Sequence, residues 1–131
     1  MFEVAVEETF AAGHALRGYR GKCESVHGHN YKVRVVLAGE RLDSAGLLYD
    51  FVELRQRIAE VIRSLDHRFL NDLPPFTELN PSAENLAKYF YQELDRRLAV
   101  NANGAALREV TVFETETATA TYRPPPTSAA G

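Results

Sequence analysis

Three histidines in the first third of the sequence have the spacing of a metal site. Twelve residues separate His14 from His27, and one residue separates His27 from His29. Two histidines at positions i and i+2 of a strand project from the same face, and a third at the end of a neighbouring strand would complete a tripod. Three neutral nitrogen ligands suit Zn²⁺, although iron, nickel and copper accept the same ligand type. No fourth ligand is evident, so a catalytic site with an open position is predicted. Ordinary hydrogen bonding at strand ends is the alternative.

The single cysteine, Cys23, lies four residues before His27. One cysteine cannot form an intramolecular disulfide. A thiol close to a dication and to basic residues has a lowered pKa and could act as a base or nucleophile. The alternative is an inert, buried cysteine that packs as a small apolar residue.

Two acidic positions could complete the chemistry. Asp66 and His67 are adjacent, and a carboxylate beside an imidazole is a common acid–base pair. The alternative is a helix end at which His67 favours the negative dipole and Asp66 caps a turn. Glu114 could accept a pair of hydrogen bonds from the 2-amino-pyrimidinone edge of a pterin or purine, or it could simply face solvent.

The elements that position these residues follow from the periodicity. Alternating β-branched and aromatic residues predict a strand that ends at His14 and a second that begins near His27, with both histidines of the second strand continuing its apolar face. The glycine-punctuated loop between them predicts a mobile basic segment carrying Arg17, Arg20 and Lys22.

The central part of the chain has helical periodicity. An apolar stripe predicts a helix over about residues 51–64, with Asp50 as its cap. Ser82 is a predicted N-cap of a second helix that ends before Asn101. Two further runs of alternation predict a closing hairpin. The result is an α+β fold, ββααββ, with a four-stranded antiparallel sheet and two helices on one face. Residues 1–123 are expected to form one domain and residues 124–131 a flexible tail.

Composition excludes several function classes. With 45% hydrophobic and 25% charged residues, the 131-residue chain is typical of a water-soluble domain. It lacks the long apolar run of a membrane span and the basic, apolar start of a signal peptide, so a cytoplasmic location and no membrane partner are expected. The formal net charge of −3 argues against nucleic-acid binding through a broad basic face.

Taken together, these motifs resemble one family, that of 6-pyruvoyl-tetrahydropterin synthase and 6-carboxy-tetrahydropterin synthase. The resemblance runs from Phe10 to about Tyr122. The matching segments are F-A-A-G-H-A-L, C-E-S-V-H-G-H-N-Y, G-L-L-Y-D-F-V-E-L, L-D-H-R-F-L-N, N-P-S-A-E-N-L-A and F-E-T.

The resemblance implies a tunnelling fold in which sheets from several subunits join into a barrel, as a homo-hexamer with sites at subunit interfaces. It implies a zinc ion on the three histidines, with Cys23, Asp66 and His67 in proton transfer and Glu114 as the pterin anchor. The implied substrate is 7,8-dihydroneopterin triphosphate, which the basic loop could meet. The implied product is 6-carboxy-5,6,7,8-tetrahydropterin, as in queuosine biosynthesis, with loss of acetaldehyde and triphosphate.

Three positions depart from this pattern. Ala15 and Ala83 stand where the family often has a basic and a hydroxyl residue. Glu24 resembles a catalytic glutamate of a subgroup that cleaves the side chain to 6-hydroxymethyl-dihydropterin for folate synthesis. That reaction is therefore the second hypothesis, and a pterin- or metal-binding module without catalysis is the third.

Overall fold

In the part of the chain that the structure describes, one five-stranded sheet packs against two α-helices. A computed structural model describes residues 1–19, 25–98 and 103–126. The elements in order are β1 (Phe2–His14), β2 (His27–Gly39), α1 (Phe51–Arg63), β3 (Arg68–Phe69), a 3₁₀ turn (Leu70–Asp72), α2 (Ala83–Arg97), β4 (Ala106–Phe113) and β5 (Thr119–Tyr122).

The strand order in the sheet is β3-β1-β2-β4-β5. The four antiparallel strands of the prediction are present, and β1 pairs with β2 along its whole length, so that His14 lies opposite His27. The prediction of four strands was incomplete, because β3 adds a fifth that runs parallel to β1. Two residues are too short to show alternation, and β3 follows a turn at His67, whose φ of 59° is left-handed.

Both helices cover the same face of the sheet, as predicted. Even positions of β1 and odd positions of β2 point toward the helices, and they carry the buried core. Helix α1 packs against β1, and α2 packs against β4 and β5. The core residues on the central strands include Val6, Phe10, Tyr31, Val33, Val35, Val110 and Val112. The α+β fold with two helices on one face is therefore confirmed.

The helix starts also agree with the sequence. Asp50 caps α1 by accepting a hydrogen bond from the backbone N–H of Val52 at 2.8 Å. Ser82 caps α2 by accepting one from Asn85 at 3.2 Å. Each cap satisfies a backbone donor that the first helical turn leaves unpaired.

Two further expectations concern a membrane-spanning helix and the C-terminal tail. No helix among the described residues is long and apolar enough to span a bilayer. Residues 124–126 are exposed, whereas 127–131, most of the predicted tail, lie outside the described residues. The boundary at residue 123 stays a prediction.

Candidate active site

The three histidines converge at the end of the β1–β2 pair, on the face that carries the core. Their ring centroids lie 4.6, 4.9 and 4.9 Å apart. The Nε2 atoms of His14 and His27 are 3.0 Å apart. His14 is 1% exposed. The site is thus a continuation of the core face in which imidazoles replace apolar side chains.

Backbone carbonyls fix the tautomers of two of these rings. His14 Nδ1 lies 2.7 Å from the carbonyl oxygen of Pro81, and His27 Nδ1 lies 3.0 Å from that of Ser25. A carbonyl can only accept, so each Nδ1 must carry the proton and donate it. In the neutral rings, both Nε2 atoms therefore present lone pairs to each other.

Glu114 joins this group from the end of β4. One of its carboxylate oxygens, Oε1, is 3.2 Å from His29 Nε2 and 4.0 Å from His14 Nε2. The four possible ligand atoms of His14, His27, His29 and Glu114 all lie within 4.8 Å of one another. The geometry brings together two residue types that the sequence analysis placed in different roles.

The donor set fits a divalent cation. Lone pairs on two nitrogens at 3.0 Å repel each other unless a cation or a shared proton lies between them, and the carboxylate adds a negative charge. Imidazole nitrogens whose opposite ring nitrogen donates to a carbonyl are the usual arrangement of metal-binding histidines. Zinc accepts this combination of nitrogen and oxygen ligands at about 2.0–2.2 Å.

Tyr31 closes the inner wall of the cluster. Its ring is 0% exposed, stacks on Phe10 at 5.0 Å, and meets His14 and His29 edge-on at 5.9 and 5.4 Å. Within the described ranges, its hydroxyl has no hydrogen-bond partner. Burial, followed by the negative charge of Glu114, raises the pKa of the Tyr31 hydroxyl, which therefore stays protonated as a donor beside the site.

Arg17 has a different role from the one expected of a mobile basic loop. Its guanidinium donates to the backbone carbonyls of Leu79 at 3.2 Å, Asn71 at 3.3 Å and Phe76 at 2.7 Å. Five donors in a rigid fork suit this task. Arg17 therefore fastens residues 71–79 to the segment after β1, and a contact of Arg17 with triphosphate stays a prediction.

Two asparagines hold the same segment by its backbone. Asn71 is 9% exposed, and it accepts from the N–H of Ala15 at 3.0 Å and donates to the Ala15 carbonyl at 2.8 Å. Asn80 makes the same pair of bonds with Arg17, at 2.8 and 2.9 Å. Because the Pro81 carbonyl contacts His14, residues 80 and 81 connect the start of α2 to both the cluster and the loop.

Asp66 and His67 form a pair at the outer edge of β1. Asp66 Oδ2 is 3.1 Å from His67 Nδ1, and Asp66 Oδ1 accepts from the N–H of Ala11 at 2.9 Å. The Ala11 bond, together with the His67 contacts, lowers the pKa of Asp66, so the carboxylate is ionised at neutral pH. The His67 side chain is 81% exposed.

The structure does not include the Asp66–His67 pair in the histidine cluster. Among the described residues, the only cluster of possible metal ligands is that of the three histidines and Glu114. His67 instead lines an open cleft of about 430 Å³ that also touches His29, Asn30 and Phe69.

Four residues of the expected site, Cys23, Glu24, Arg20 and Lys22, lie outside the described residues. Their expected roles stay predictions. The sequence analysis missed Asn71, Asn80 and the Pro81 carbonyl, because each acts through contacts between segments more than 50 residues apart. The repeated asparagines in the connector between the helices were the one available signal.

Comparison with known proteins assigns the chain to a protein family. The sequence profile of the family described as 6-pyruvoyl tetrahydropterin synthase matches residues 3–125. The chain belongs to this family. It is 33% identical over 128 residues to 6-carboxy-5,6,7,8-tetrahydropterin synthase of Bacillus subtilis, a match that covers 94% of this chain and 86% of that protein.

Two animal members agree with this assignment. The human 6-pyruvoyl tetrahydrobiopterin synthase is 35% identical over 107 residues, covering 79% of this chain and 71% of that protein. The solved structure of Caenorhabditis elegans 6-pyruvoyl tetrahydropterin synthase superposes with a TM-score of 0.79 at 28% identity, covering 95% of this chain and 98% of that chain. This member of the family is an enzyme of the tetrahydropterin synthase type, a lyase.

Proposed function

We propose that the enzyme converts 7,8-dihydroneopterin triphosphate to 6-carboxy-5,6,7,8-tetrahydropterin in a zinc-dependent reaction, with loss of acetaldehyde and triphosphate. The observation that carries this proposal is the convergence of His14, His27 and His29 with their Nε2 atoms toward one point. The name of the Bacillus subtilis relative, which this chain matches over nearly its whole length, favours the carboxy product.

The three histidines would hold the metal. A zinc ion bound there supplies a Lewis acid that makes the hydroxyl groups of the substrate side chain more acidic. The Pro81 and Ser25 carbonyls keep the Nε2 atoms of His14 and His27 available as ligands. Glu114 would accept two hydrogen bonds from the amino-pyrimidinone edge of the pterin.

Cys23 and the Asp66–His67 pair would move protons. Cys23 as a thiolate would remove a proton from the substrate side chain. Because Asp66 accepts from Nδ1–H of His67, the Nε2 atom of His67 is left to accept or donate a proton at the substrate. The lowered pKa of Asp66 keeps it in the form that stabilises a protonated imidazole.

The position of His67 supports a multi-subunit enzyme. Its ring points from an exposed edge and is not part of the histidine cluster of its own chain. In a homo-hexamer with sites at subunit interfaces, a neighbouring chain would meet this edge. Edge pairing of this kind would also cover the outer side of β1, which β3 pairs only at Ala12 and Gly13.

The side-chain cleavage that yields 6-hydroxymethyl-dihydropterin is the second candidate. Its support is Glu24, which follows Cys23 directly in the sequence. A cytoplasmic location stays an expectation from the sequence.

The test is metal analysis together with product identification. The purified protein should contain about one zinc per chain and, with 7,8-dihydroneopterin triphosphate, give 6-carboxy-tetrahydropterin by mass spectrometry. His27→Ala should lose both the metal and the product. His67→Ala, a change outside the cluster, should lose product formation but keep the metal. Zinc-loaded protein that leaves the substrate unchanged would refute the proposal.

A further inference from the structure

Glu114 is positioned so that its carboxylate could contact either a metal ion at the histidine cluster or a bound pterin. The turn after β4 is fixed by a backbone hydrogen bond from the Glu114 N–H to the carbonyl of Ala118 at 3.0 Å. The side chain is one-third exposed and reaches the histidines from the open side of the cluster. Among the residues that the structure describes, its ion-pair contacts are with His29 and His14 and with no lysine or arginine.

The distances favour coordination of a metal ion by Glu114, in addition to its proposed hydrogen bonds to the pterin. Glu114 Oε1 lies 3.2 Å from His29 Nε2 and 4.0 Å from His14 Nε2, and the His14 and His27 nitrogens are 3.0 Å apart. Ligands about 2.0–2.2 Å from a tetrahedral zinc ion are separated from one another by about 3.3–3.6 Å. The His29–Glu114 separation is close to this range, and the other two differ from it by a few tenths of an ångström, so the carboxylate oxygen lies within reach of an ion held by the histidines.

The charges in the cluster also favour Glu114 as a metal ligand. Three neutral imidazoles leave both charges of a divalent cation uncompensated, and Glu114 is the one carboxylate in the cluster of described residues. A cation at this point would be shared by all four donors, and it would relieve the repulsion between the lone pairs and the carboxylate.

We propose that Glu114 is the fourth metal ligand of the substrate-free enzyme and leaves the metal when it binds the pterin. This inference rests on the proposed function. Recognition of the pterin ring and opening of the coordination position then become one event, because the same carboxylate serves both. A molecule without the pterin edge would find the fourth position occupied.

Metal affinity provides the first test. Competition with a chromophoric chelator should show that Glu114→Gln binds Zn²⁺ more weakly, on the order of 10-fold or more. The matched control is Glu116→Gln, which removes an equal charge from an exposed position in the same turn and should bind as the wild type does. Equal affinities for Glu114→Gln and the wild type would overturn the inference.

The displacement step has a spectroscopic test. In the Co²⁺-substituted wild type, saturation with a pterin that has no side chain should change the visible absorption of the metal, although this probe brings no side-chain hydroxyl. In Glu114→Ala, the spectrum without pterin should already differ from that of the wild type. An unchanged wild-type spectrum, with pterin binding verified by fluorescence quenching, would overturn the inference.

These outcomes separate the inference from the function on which it rests. A protein that binds zinc and forms 6-carboxy-tetrahydropterin, but whose Glu114→Gln variant retains full zinc affinity, refutes the fourth ligand alone. A wild type that binds neither Zn²⁺ nor Co²⁺ refutes the metal site itself.

Discussion

Replacing Asn71 with alanine removes both hydrogen bonds that hold the backbone of Ala15, directly after His14 of the histidine cluster. Asn71 is 9% exposed, so the N–H and the carbonyl of Ala15 lose their partners in a region that water enters poorly. An unsatisfied buried backbone group costs about 1–3 kcal/mol, so the variant, which leaves two such groups, should lose about 2–6 kcal/mol of unfolding free energy.

The assay compares stability with catalysis. Urea unfolding of the metal-free protein measures the free energy, and steady-state kinetics measure kcat and KM. We expect kcat to fall as well, because Ala15 begins the segment that leads to Cys23. Asn103→Ala is the matched control: Asn103 donates to the carbonyls of Arg41 at 2.7 Å and Leu48 at 2.9 Å, in a part of the molecule remote from the histidines.

The control should lower stability and leave kcat unchanged. Asn71→Ala with an unfolding free energy within about 0.5 kcal/mol of the wild type would refute the stability estimate. A loss of stability with unchanged kcat would refute the link between this contact and the site.

Four further predictions concern other residues of the expected site. Asp66→Asn should lower kcat by about 10²- to 10⁴-fold with little change in melting temperature, because an amide can still accept from Ala11 but no longer from His67 Nδ1–H; kcat close to that of the wild type would contradict this. Since the folded-state pKa of Asp66 is lowered, its contribution to stability is complete above the usual value of 3.8 and is lost as the pH falls through the lower folded-state pKa. Thermal unfolding of Asp66→Asn should therefore be less sensitive to pH below that value, and parallel wild-type and variant curves would contradict the assignment. Co-expression of the inactive variants His27→Ala and His67→Ala should restore about one quarter of wild-type activity if two chains share each site, whereas a site built from one chain would give none. Glu24→Ala should remove any 6-hydroxymethyl-dihydropterin, measured by mass spectrometry, and spare the carboxy product; equal loss of both would argue against the second activity.

Much of the fold was predictable because its strands are long and one-sided. The alternation that ends at His14 and begins again at His27 predicted both central strands, and Asp50 and Ser82 predicted the starts of the helices. The strand β3 was not predictable, because two residues carry no periodicity and its pairing depends on the left-handed turn at His67.

The candidate site was likewise predictable only where its residues lie on long strands. Parity along the strands was enough to expect His14, His27 and His29 on one face, and the structure brings them together. Glu114 has the parity of Val110 and Val112, which predicts the same face, but parity alone could not show how closely it approaches the histidines, because it lies in the turn after β4. Nor could parity show the fixing of Arg17 by distant carbonyls, since hydrogen bonds across 54–62 residues leave no local pattern.

The core residues and the predicted metal ligands share one face of the sheet, which has a consequence for folding. A slip of one residue in the pairing of β2 with β1 would turn His27, His29, Tyr31 and Val33 to the opposite side of the sheet together. Such a misaligned hairpin would lose its apolar contacts and would also separate His27 and His29 from His14, and with them the proposed metal site. A metal ion bound to these histidines would therefore stabilise the correctly aligned hairpin relative to the misaligned one.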